Sequence, residues 1–367
     1  MKKTVLLIVG IIFSFPMAMA QEIIENPEKA GNAKAGRIVT LSEDMRIADT
    51  GEGFYFKNPF TIRVSPRDDI FIYDGQEQAL QFDARGRFVR NLFKKGQGPG
   101  ELTVLYDIWA SSDRLYLFGY PSKILIFNYD GSLDKELSTR DVGTVGKFIW
   151  SDSDGILMSK SGRPDPAAGN GLRDFPQDIV EISTRDSTVT KISSFPIRAF
   201  IEFFPGGAAS VRAWNQLHAV SLDERILVLN YTPEYRLEMY DREKGAIVRR
   251  FDRPYVRVKK RGGAGISSTG GNRPPEPEFQ TDIFSLHVVD GKTWVQTSTI
   301  VEGKGILFDV FDRGGRYVDS FYVQSPQKDA SGKPANQMLT IANGFAYGRE
   351  RTEDELIVIK KYRLVGF

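Results

Sequence analysis

Cysteine is absent from this chain of 367 residues, and histidine occurs only twice, as His218 and His287. Without a thiol there can be no disulfide, no thiolate metal ligand and no cysteine nucleophile. Two histidines cannot form a zinc site that needs three imidazoles. A serine hydrolase triad is not indicated either, because no nucleophile-elbow motif is present. The sequence therefore lacks several common signatures of a catalytic site.

Long apolar runs are also missing after the first twenty residues, so no later segment is expected to span a bilayer. The beginning of the chain carries Lys2 and Lys3, then an apolar stretch at residues 5–15, then Ala-Met-Ala at residues 18–20. This order is typical of a secretory signal peptide that ends in a small-residue cleavage site. An uncleaved anchor is the alternative, which the short apolar stretch disfavours. We predict a signal peptide at residues 1–20 and a periplasmic or secreted location.

An excess of charge of one sign is lacking as well. The chain has 49 basic and 47 acidic residues, and its formal net charge is +2. Loss of Lys2 and Lys3 with the signal peptide would make the two numbers equal. Because binding to phosphate backbones needs a strong positive field, nucleic acid is not expected as a partner.

What the chain does contain is a dense pattern of short strands, seen first at residues 60–101. Apolar runs there alternate with separators rich in Asp, Gly and Pro, which favours an antiparallel meander. A meander of four strands cannot cover both of its faces and is marginal alone. The four runs are residues 60–64, 70–73, 79–82 and 88–93.

The meander recurs, and its marker is an aromatic residue followed by Asp and then Gly, with a further strand-like run after it. A degenerate copy lies at residues 180–184. The four full copies are Phe82-Asp83 with Gly86, Tyr129-Asp130 with Gly131, Tyr240-Asp241 with Gly245, and Phe311-Asp312 with Gly314.

Five four-strand units and a sixth with three strands account for the pattern. An N-terminal run at residues 37–47 has no local partner, and it would complete the sixth unit if the units form a closed ring. We therefore predict an all-β, six-bladed β-propeller of four-stranded antiparallel blades over residues 36–367, preceded by a flexible spacer at residues 21–35. A β-sandwich is the alternative, but it would not require such repeats. The units are residues 54–95, 96–140, 141–195, 214–257, 279–323 and 338–364.

After the first unit the chain reads Lys95-Gly96-Gln97-Gly98-Pro99-Gly100-Glu101. With the repeats, this GQGPGE motif resembles the extracytoplasmic six-bladed β-propeller proteins of bacteria, which are similar to NHL-repeat propellers. Leu102 stands where that family's motif has Phe. The resemblance implies the fold and an extracytoplasmic location, but no activity. As a phosphate loop the motif lacks the Lys-Ser/Thr ending, so a tight turn is the better interpretation.

Strand order predicts where binding occurs. With the strands of each blade labelled a to d from the axis outward, the a–b and c–d turns open on one face of the disc, and the b–c and d–a connections on the other. All long insertions fall in the second group, and long loops on a rigid scaffold commonly bind ligands. The insertions are residues 161–175, 196–213, 259–278, 300–305, 324–336 and 350–355.

Residues 196–214 form the most distinctive of these predicted loops because of their large aromatic side chains. They could form a platform for a sugar ring or a peptide side chain. The alternative is that they plug the channel or pack beneath neighbouring loops. The candidate ligand-binding residues are Phe200, Phe203, Phe204, Trp214, Arg198 and Arg173.

A metal site is the other candidate. His218 and His287 fall in predicted innermost strands of neighbouring blades, and Glu101 could point toward the channel. Calcium would instead need carboxylate and amide oxygens, to which Glu202 and Asn230 could contribute. The alternative is two satisfied interior histidines with Glu101 capping its own turn, because the ligands are too few.

Two functions follow from these patterns. The first is an extracytoplasmic module, without cofactor, that binds a protein, peptide or glycan on the long-loop face. The second is a hydrolase or lactonase with calcium or zinc at the channel mouth. A structural part of an envelope assembly is a third possibility. Substrate and oligomeric state are not indicated by the sequence.

Overall fold

The computed structural model describes residues 21–49, 51, 53–75, 77–139, 146–260, 276–324 and 337–367. The predicted signal peptide and most of the predicted loops 259–278 and 324–336 lie outside these residues. Within them the chain forms 26 strands and a single short 3₁₀ turn, η1, at Pro166–Ala168. In this part of the chain there is no helix with the length and apolarity needed to cross a membrane.

The strands in chain order are β1 (Glu22–Glu25), β2 (Arg37–Ala48), β3 (Pro59–Val64), β4 (Ile70–Asp74), β5 (Gln78–Phe82), β6 (Phe88–Asn91), β7 (Val104–Ala110), β8 (Arg114–Tyr120), β9 (Lys123–Asn128), β10 (Leu133–Ser138), β11 (Gly146–Ser151), β12 (Gly155–Ser161), β13 (Gly171–Ser183), β14 (Val189–Phe203), β15 (Ala209–Ala213), β16 (His218–Ser221), β17 (Ile226–Asn230), β18 (Leu237–Asp241), β19 (Ala246–Asp252), β20 (Ile283–Val289), β21 (Lys292–Val301), β22 (Gly305–Phe311), β23 (Tyr317–Val323), β24 (Leu339–Ala342), β25 (Phe345–Arg351) and β26 (Ile357–Val365).

These strands form the predicted six-bladed β-propeller. Blades 1 to 5 are the antiparallel meanders β3–β6, β7–β10, β11–β14, β16–β19 and β20–β23, and blade 6 contains β24, β25, β26 and β2. Each innermost strand contacts the innermost strands of both neighbouring blades, in the order β3, β7, β11, β16, β20, β24 and back to β3. The contacts close a ring around a central channel, which confirms the fold class.

Strand β2 closes the ring, as the unpaired N-terminal run predicts. Residues Thr40–Ala48 pair antiparallel with β26, from Thr40 opposite Val365 to Ala48 opposite Val358. The preceding residues Arg37–Val39 pair in parallel with β23 of blade 5. One strand therefore completes the last blade and also joins it to the blade before.

Residues 21–35 are not a free spacer in the structure, in contrast to the expectation from their polar composition. Strand β1 pairs in parallel with β19, the outer strand of blade 4. The amide of Asn26 donates to the carbonyls of Asp252 and Gly315 at 2.9 and 3.0 Å and accepts from the Tyr317 N–H at 2.8 Å. Polar composition was misleading here because backbone pairing and the Asn26 side chain hold this segment, with Ile24 and Ala30 as its contacts to the apolar cluster between blades 4 and 5.

Six apolar clusters hold the ring together, one between each pair of neighbouring blades. Strand β4 shows why alternation fits this arrangement. Phe71 and Tyr73 pack toward blade 2, and Ile70 and Ile72 toward blade 6. Successive side chains point to opposite sheet faces, and both faces of a blade are covered by its neighbours. The two middle strands of blade 1 are consequently buried along their whole length.

The recurring aromatic-Asp-Gly sequence forms the c–d turn. Phe82 ends β5 and is fully buried in the cluster between blades 6 and 1. The Asp83 carboxylate then accepts from the backbone N–H groups of Arg85 and Arg87 at 3.0 and 2.9 Å. Gly86 has φ +77°, a conformation that residues with a Cβ rarely adopt. The motif is therefore a structural corner, with its aspartate engaged in backbone hydrogen bonds.

Candidate binding face and central channel

The antiparallel blades place the b–c and d–a connections on one side of the disc, here named the connection face. Its largest described feature belongs to blade 3. Strand β12 ends at Ser161 opposite Gln177, whereas β13 and β14 continue to pair until Gly171 lies opposite Ile201. The short strand β15 adds to β14 over Ala199–Phe203. These residues beyond β12 (171–176, 196–203 and 209–213) are called the blade-3 extension.

The blade-3 extension corrects two predicted loops. Residues 161–175 and 196–213 were expected to be irregular, but β13 begins at Gly171 and β14 runs to Phe203. The signal for a strand was visible as alternation of Ile197, Ala199 and Ile201 with larger or polar residues. Pro196 and the aromatic residues obscured it, because prolines are uncommon in paired strands.

One face of the blade-3 extension has its own small core. Phe175, Ile197, Ala199 and Ile201 are buried there, and the partly buried Phe203 and Tyr231 pack against them. Tyr231 belongs to the b–c connection of blade 4, and its hydroxyl donates to Glu238 at 2.7 Å. The blade-3 extension is thus packed against blade 4 through Tyr231.

The candidate aromatic side chains do not share one surface. Because strand residues alternate, Phe203 lies on the face packed against Tyr231, whereas Phe200 lies on the opposite face. Phe204 follows the end of β14 and is 45% exposed. Trp214 is half-buried directly after β15, where its backbone N–H donates to the carbonyl of Arg198 at 2.7 Å. Among the candidate aromatics, Phe204 is therefore the exposed one, whereas Phe200, Phe203 and Trp214 are half-buried.

The two candidate arginines are separated in the same way. Arg198 is directly opposite Asp174 and forms an exposed ion pair with it at 3.0 Å. Arg173 lies opposite Ala199 on the packed face, and its guanidinium donates to the carbonyl of Gly169. Only Arg198 is on the same face as Phe200.

Exposed large apolar side chains concentrate at the connection face. Of fourteen such residues in the described part of the chain, eight lie in b–c or d–a connections, in the blade-3 extension or at the inner end of one of these connections. None of the fourteen lies in an a–b turn, and three lie at c–d ends of strands on the opposite face, namely Leu133, Val365 and Phe367. Sequence reasoning missed most of them because a local pattern does not show which loop residues remain uncovered. The eight are Tyr55, Phe60, Tyr120, Phe204, Val211, Val256, Met338 and Leu356.

The GQGPGE motif forms a tight d–a connection between blades 1 and 2. The carboxylate of Glu101 accepts from the N–H of Gly98 at 2.9 Å. A Cβ on Gly96 would come within 1.9 Å of the same carboxylate oxygen, so a side chain there would displace Glu101 from this hydrogen bond. Lys123 donates to the carbonyl of Gly98 at 2.8 Å. Glu101 therefore caps its own loop, the structural role considered from the sequence.

The two histidines do meet near the axis, as their positions in innermost strands predict. His218 begins β16 and His287 lies in β20, and both are half-buried. Burial lowers the pKa of each to about 4, and the two imidazoles are close enough to interact electrostatically. The positive charges of Lys147 and Arg63 lower the pKa of His218 and of His287, respectively, further. Both histidines are consequently neutral at pH 7.

A metal site is not assembled from these candidates. In the part of the chain that the structure describes, no three His, Asp or Glu side chains are grouped to hold a metal ion. Glu101 is committed to its loop, and the amide of Asn230 donates to the carbonyls of Glu234 and Arg236 at 3.2 and 2.9 Å. Glu202 lies in the blade-3 extension, opposite Ser210.

Comparison with known proteins supports the fold. A family model described as a 6-bladed beta-propeller (DUF5128) matches residues 46–150, which include blades 1 and 2. Among solved structures, the chain is similar to an exported protein of Bacteroides fragilis NCTC 9343, with 12% identity and a TM-score of 0.53; the match covers 93% of this chain and 99% of that one. It also matches BamB of Moraxella catarrhalis at 10% identity and a TM-score of 0.38, over 92% of this chain and 94% of that one. No curated protein matches. At 12% identity the likeness to the exported protein concerns the fold alone.

Proposed function

We propose that this chain is an extracytoplasmic β-propeller that binds a protein, peptide or glycan on its connection face and performs no chemistry of its own. The observation that carries the proposal is the concentration of exposed apolar side chains on that face. Scattered apolar residues are normal on a protein surface, but their bias to one face of a disc indicates an interaction surface.

The chemistry of the exposed set favours a protein or peptide over a glycan. It combines aromatic residues such as Phe204 and Tyr120 with aliphatic ones such as Val211, Val256 and Leu356. Sugar rings stack mainly on aromatic faces, whereas protein interfaces bury aromatic and aliphatic side chains together. Arg198, which lies on the same face of the blade-3 extension as Phe200, adds a polar contact of the kind that interfaces favour.

Strand β15 supplies a second mode of contact. It is the last strand of the blade-3 sheet, so one of its edges is unpaired among the described strands. An extended peptide can add to such an edge through backbone hydrogen bonds. Val211 is exposed on this strand and would contact a side chain of the added peptide.

The extracytoplasmic location rests on the signal-peptide pattern of residues 1–20, which lie outside the described residues. The similar structure from Bacteroides fragilis is described as an exported protein. The absence of cysteine is compatible with an oxidising compartment, because no thiol would need protection there.

A peptide-display selection on the purified chain (residues 21–367) tests the proposal. Enriched peptides should bind at least about tenfold more weakly when Phe204 and Val211 are both replaced by Ser, because each exposed apolar anchor contributes about 1 kcal/mol or more. The matched control is Val89→Ser with Leu133→Ser, two exposed apolar residues of outer strands.

Equal binding of the selected peptides to both double variants would reject the connection face as the site. A glycan array run in parallel separates the partner classes. If a glycan binds and its binding depends on Phe204 and Val211, the connection face is retained as the binding site and the ligand is a glycan instead of a protein or peptide.

A further inference from the structure

The innermost strands of five successive blades each contribute one ionisable side chain to the central channel. We call this set the channel ring: Arg63 of blade 1, Asp107 of blade 2, Lys147 of blade 3, His218 of blade 4 and His287 of blade 5.

Electrostatic interactions link the channel ring in a closed circuit. Arg63 interacts with Asp107, Asp107 with Lys147, Lys147 with His218, His218 with His287, and His287 with Arg63. Neighbouring innermost strands are in contact all around the axis, so these side chains converge on one region of the channel.

In the described part of the chain, the two cations of the channel ring have N–H donors without an acceptor. Arg63 uses its Nε to donate to the carbonyl of Ile108 at 3.2 Å, and its guanidinium lies 5.0 Å from the ring centre of Trp109. Its terminal nitrogens have no hydrogen-bond acceptor within the described ranges. The ammonium of Lys147 likewise has no acceptor among the residues with described positions, and Lys147 is exposed. The buried indole N–H of Trp109 is also without a partner in that part of the chain.

The single acid of the channel ring does not satisfy these donors. Asp107 is only 3% exposed, and its Oδ2 accepts from the N–H of Phe148 at 2.8 Å. Its carboxylate makes no ion pair within 4 Å with Arg63 or Lys147 among the described contacts. Burial lowers the pKa of Arg63, so its positive charge is held at a cost that a bound anion would reduce. Burial also raises the pKa of Asp107, which favours its neutral form beside an anion.

We propose that the channel ring binds a small oxyanion, a carboxylate or a phosphate group, between Arg63 and Lys147. Arginine offers a planar fork of donors that matches both kinds of oxyanion, and lysine adds a point charge. The imidazoles of His218 and His287 can each donate one N–H to the same anion. Divalent metals are disfavoured at this position because two cations already face it.

The two histidines make the proposal directly measurable, because the chain has no others. Proton NMR of the purified chain (residues 21–367) should show two imidazole Cε1–H signals, assigned with His218→Gln and His287→Gln. Titration with inorganic phosphate at constant ionic strength should shift both signals to saturation. Sodium acetate serves as the carboxylate probe, and isothermal titration calorimetry gives the dissociation constants.

Lys147→Gln and Arg63→Gln should each weaken binding about tenfold, the loss expected for one charge-assisted hydrogen bond. Lys147 is exposed, so Lys147→Gln tests the proposal even if Arg63→Gln folds poorly. Lys244→Gln is the matched control, since it removes the same charge from an exposed c–d turn.

Binding of phosphate or of acetate that depends on Lys147 supports the site, and the probe that binds identifies the oxyanion. The proposal is overturned if neither probe shifts the histidine signals. It is also overturned if Lys147→Gln and Lys244→Gln bind as tightly as the unaltered chain.

Discussion

At the residue scale, Asp309 shows how a charge is kept inside a blade interface. Its carboxylate is fully buried and accepts from the hydroxyls of Tyr235 and Tyr317, each at 2.7 Å. Arg253 completes the site with an ion pair at 2.6 Å. The guanidinium also lies near the rings of Tyr235 and Tyr255, with centres at 5.0 and 5.4 Å. Both oxygens of the buried acid therefore accept from donors, as burial of a charge requires.

Asp309→Asn should lower the free energy of unfolding by about 3–5 kcal/mol, because it leaves Arg253 as an unpaired buried charge. Urea denaturation followed by circular dichroism measures the change. Asp134→Asn is the control, an exposed aspartate whose replacement should change stability by less than about 0.5 kcal/mol. Similar unfolding midpoints for the two variants would contradict the role given to Asp309.

The histidines of the channel should make stability depend on pH. Their pKa falls from 6.5 to about 4 on folding, so between these values the unfolded chain binds more protons than the folded one. Stability should therefore decrease as pH falls from about 6.5 to about 4, with no further loss from these groups below that range.

Replacing both histidines with Gln should flatten this part of the stability profile, measured by urea denaturation at several pH values. The difference between the two profiles isolates the histidines from Asp107, Arg63 and Lys147, which face them in the channel. An unchanged slope in the double variant would show that neither imidazole is desolvated.

At the element scale, β1 illustrates a strand that composition does not reveal. Glu22–Glu25 carries two glutamates, and Ile23 is 60% exposed, so only Ile24 packs against the apolar cluster between blades 4 and 5. It is held through backbone pairing with β19, through the side chain of Asn26 and through an ion pair between Glu22 and Arg249. The outer edge of blade 4 is thereby covered, which protects it from pairing with other chains.

Asn26→Ala should cost about 2–3 kcal/mol of unfolding free energy, because three hydrogen bonds to backbone groups are lost. Thermal and urea unfolding of the variant measure this directly. Glu28→Ala, an exposed change in the same segment, is the control and should be nearly neutral. If the segment were a free spacer, the two variants would be equally stable.

At the scale of the whole molecule, the ring depends on its N-terminal clasp. Val39 is fully buried in the cluster between blades 5 and 6, while its neighbour Thr40 is exposed. Strand β2 thus combines backbone pairing to two blades with apolar burial between them. Without it, blade 6 would have three strands and an open edge.

Deleting residues 36–49 should abolish cooperative unfolding or strongly lower its midpoint. Val39→Asp should cost at least about 3 kcal/mol because it buries an unpaired charge, whereas Thr40→Asp should change stability by less than about 0.5 kcal/mol. Differential scanning calorimetry and urea denaturation compare the three forms. A deletion variant with an unaltered midpoint would argue against the clasp.

The sequence by itself determined the number of blades, the order of their strands and the closure by β2. These features depend on alternation along each strand and on turn residues such as Asp83 and Gly86, which act over short distances. The same reasoning identified His218 and His287 as neighbours near the axis, because both fall in innermost strands.

Only the tertiary structure decided which other side chains join them. Arg63, Asp107 and Lys147 come from three further blades, and no local pattern brings such distant residues to one point. Only the tertiary structure, too, showed that residues 196–203 continue a strand. The apolar side chains of this stretch are buried against Tyr231, which belongs to the next blade. The physical reason is that ring closure sets contacts between blades, whereas alternation and turn chemistry set only the strands within each blade.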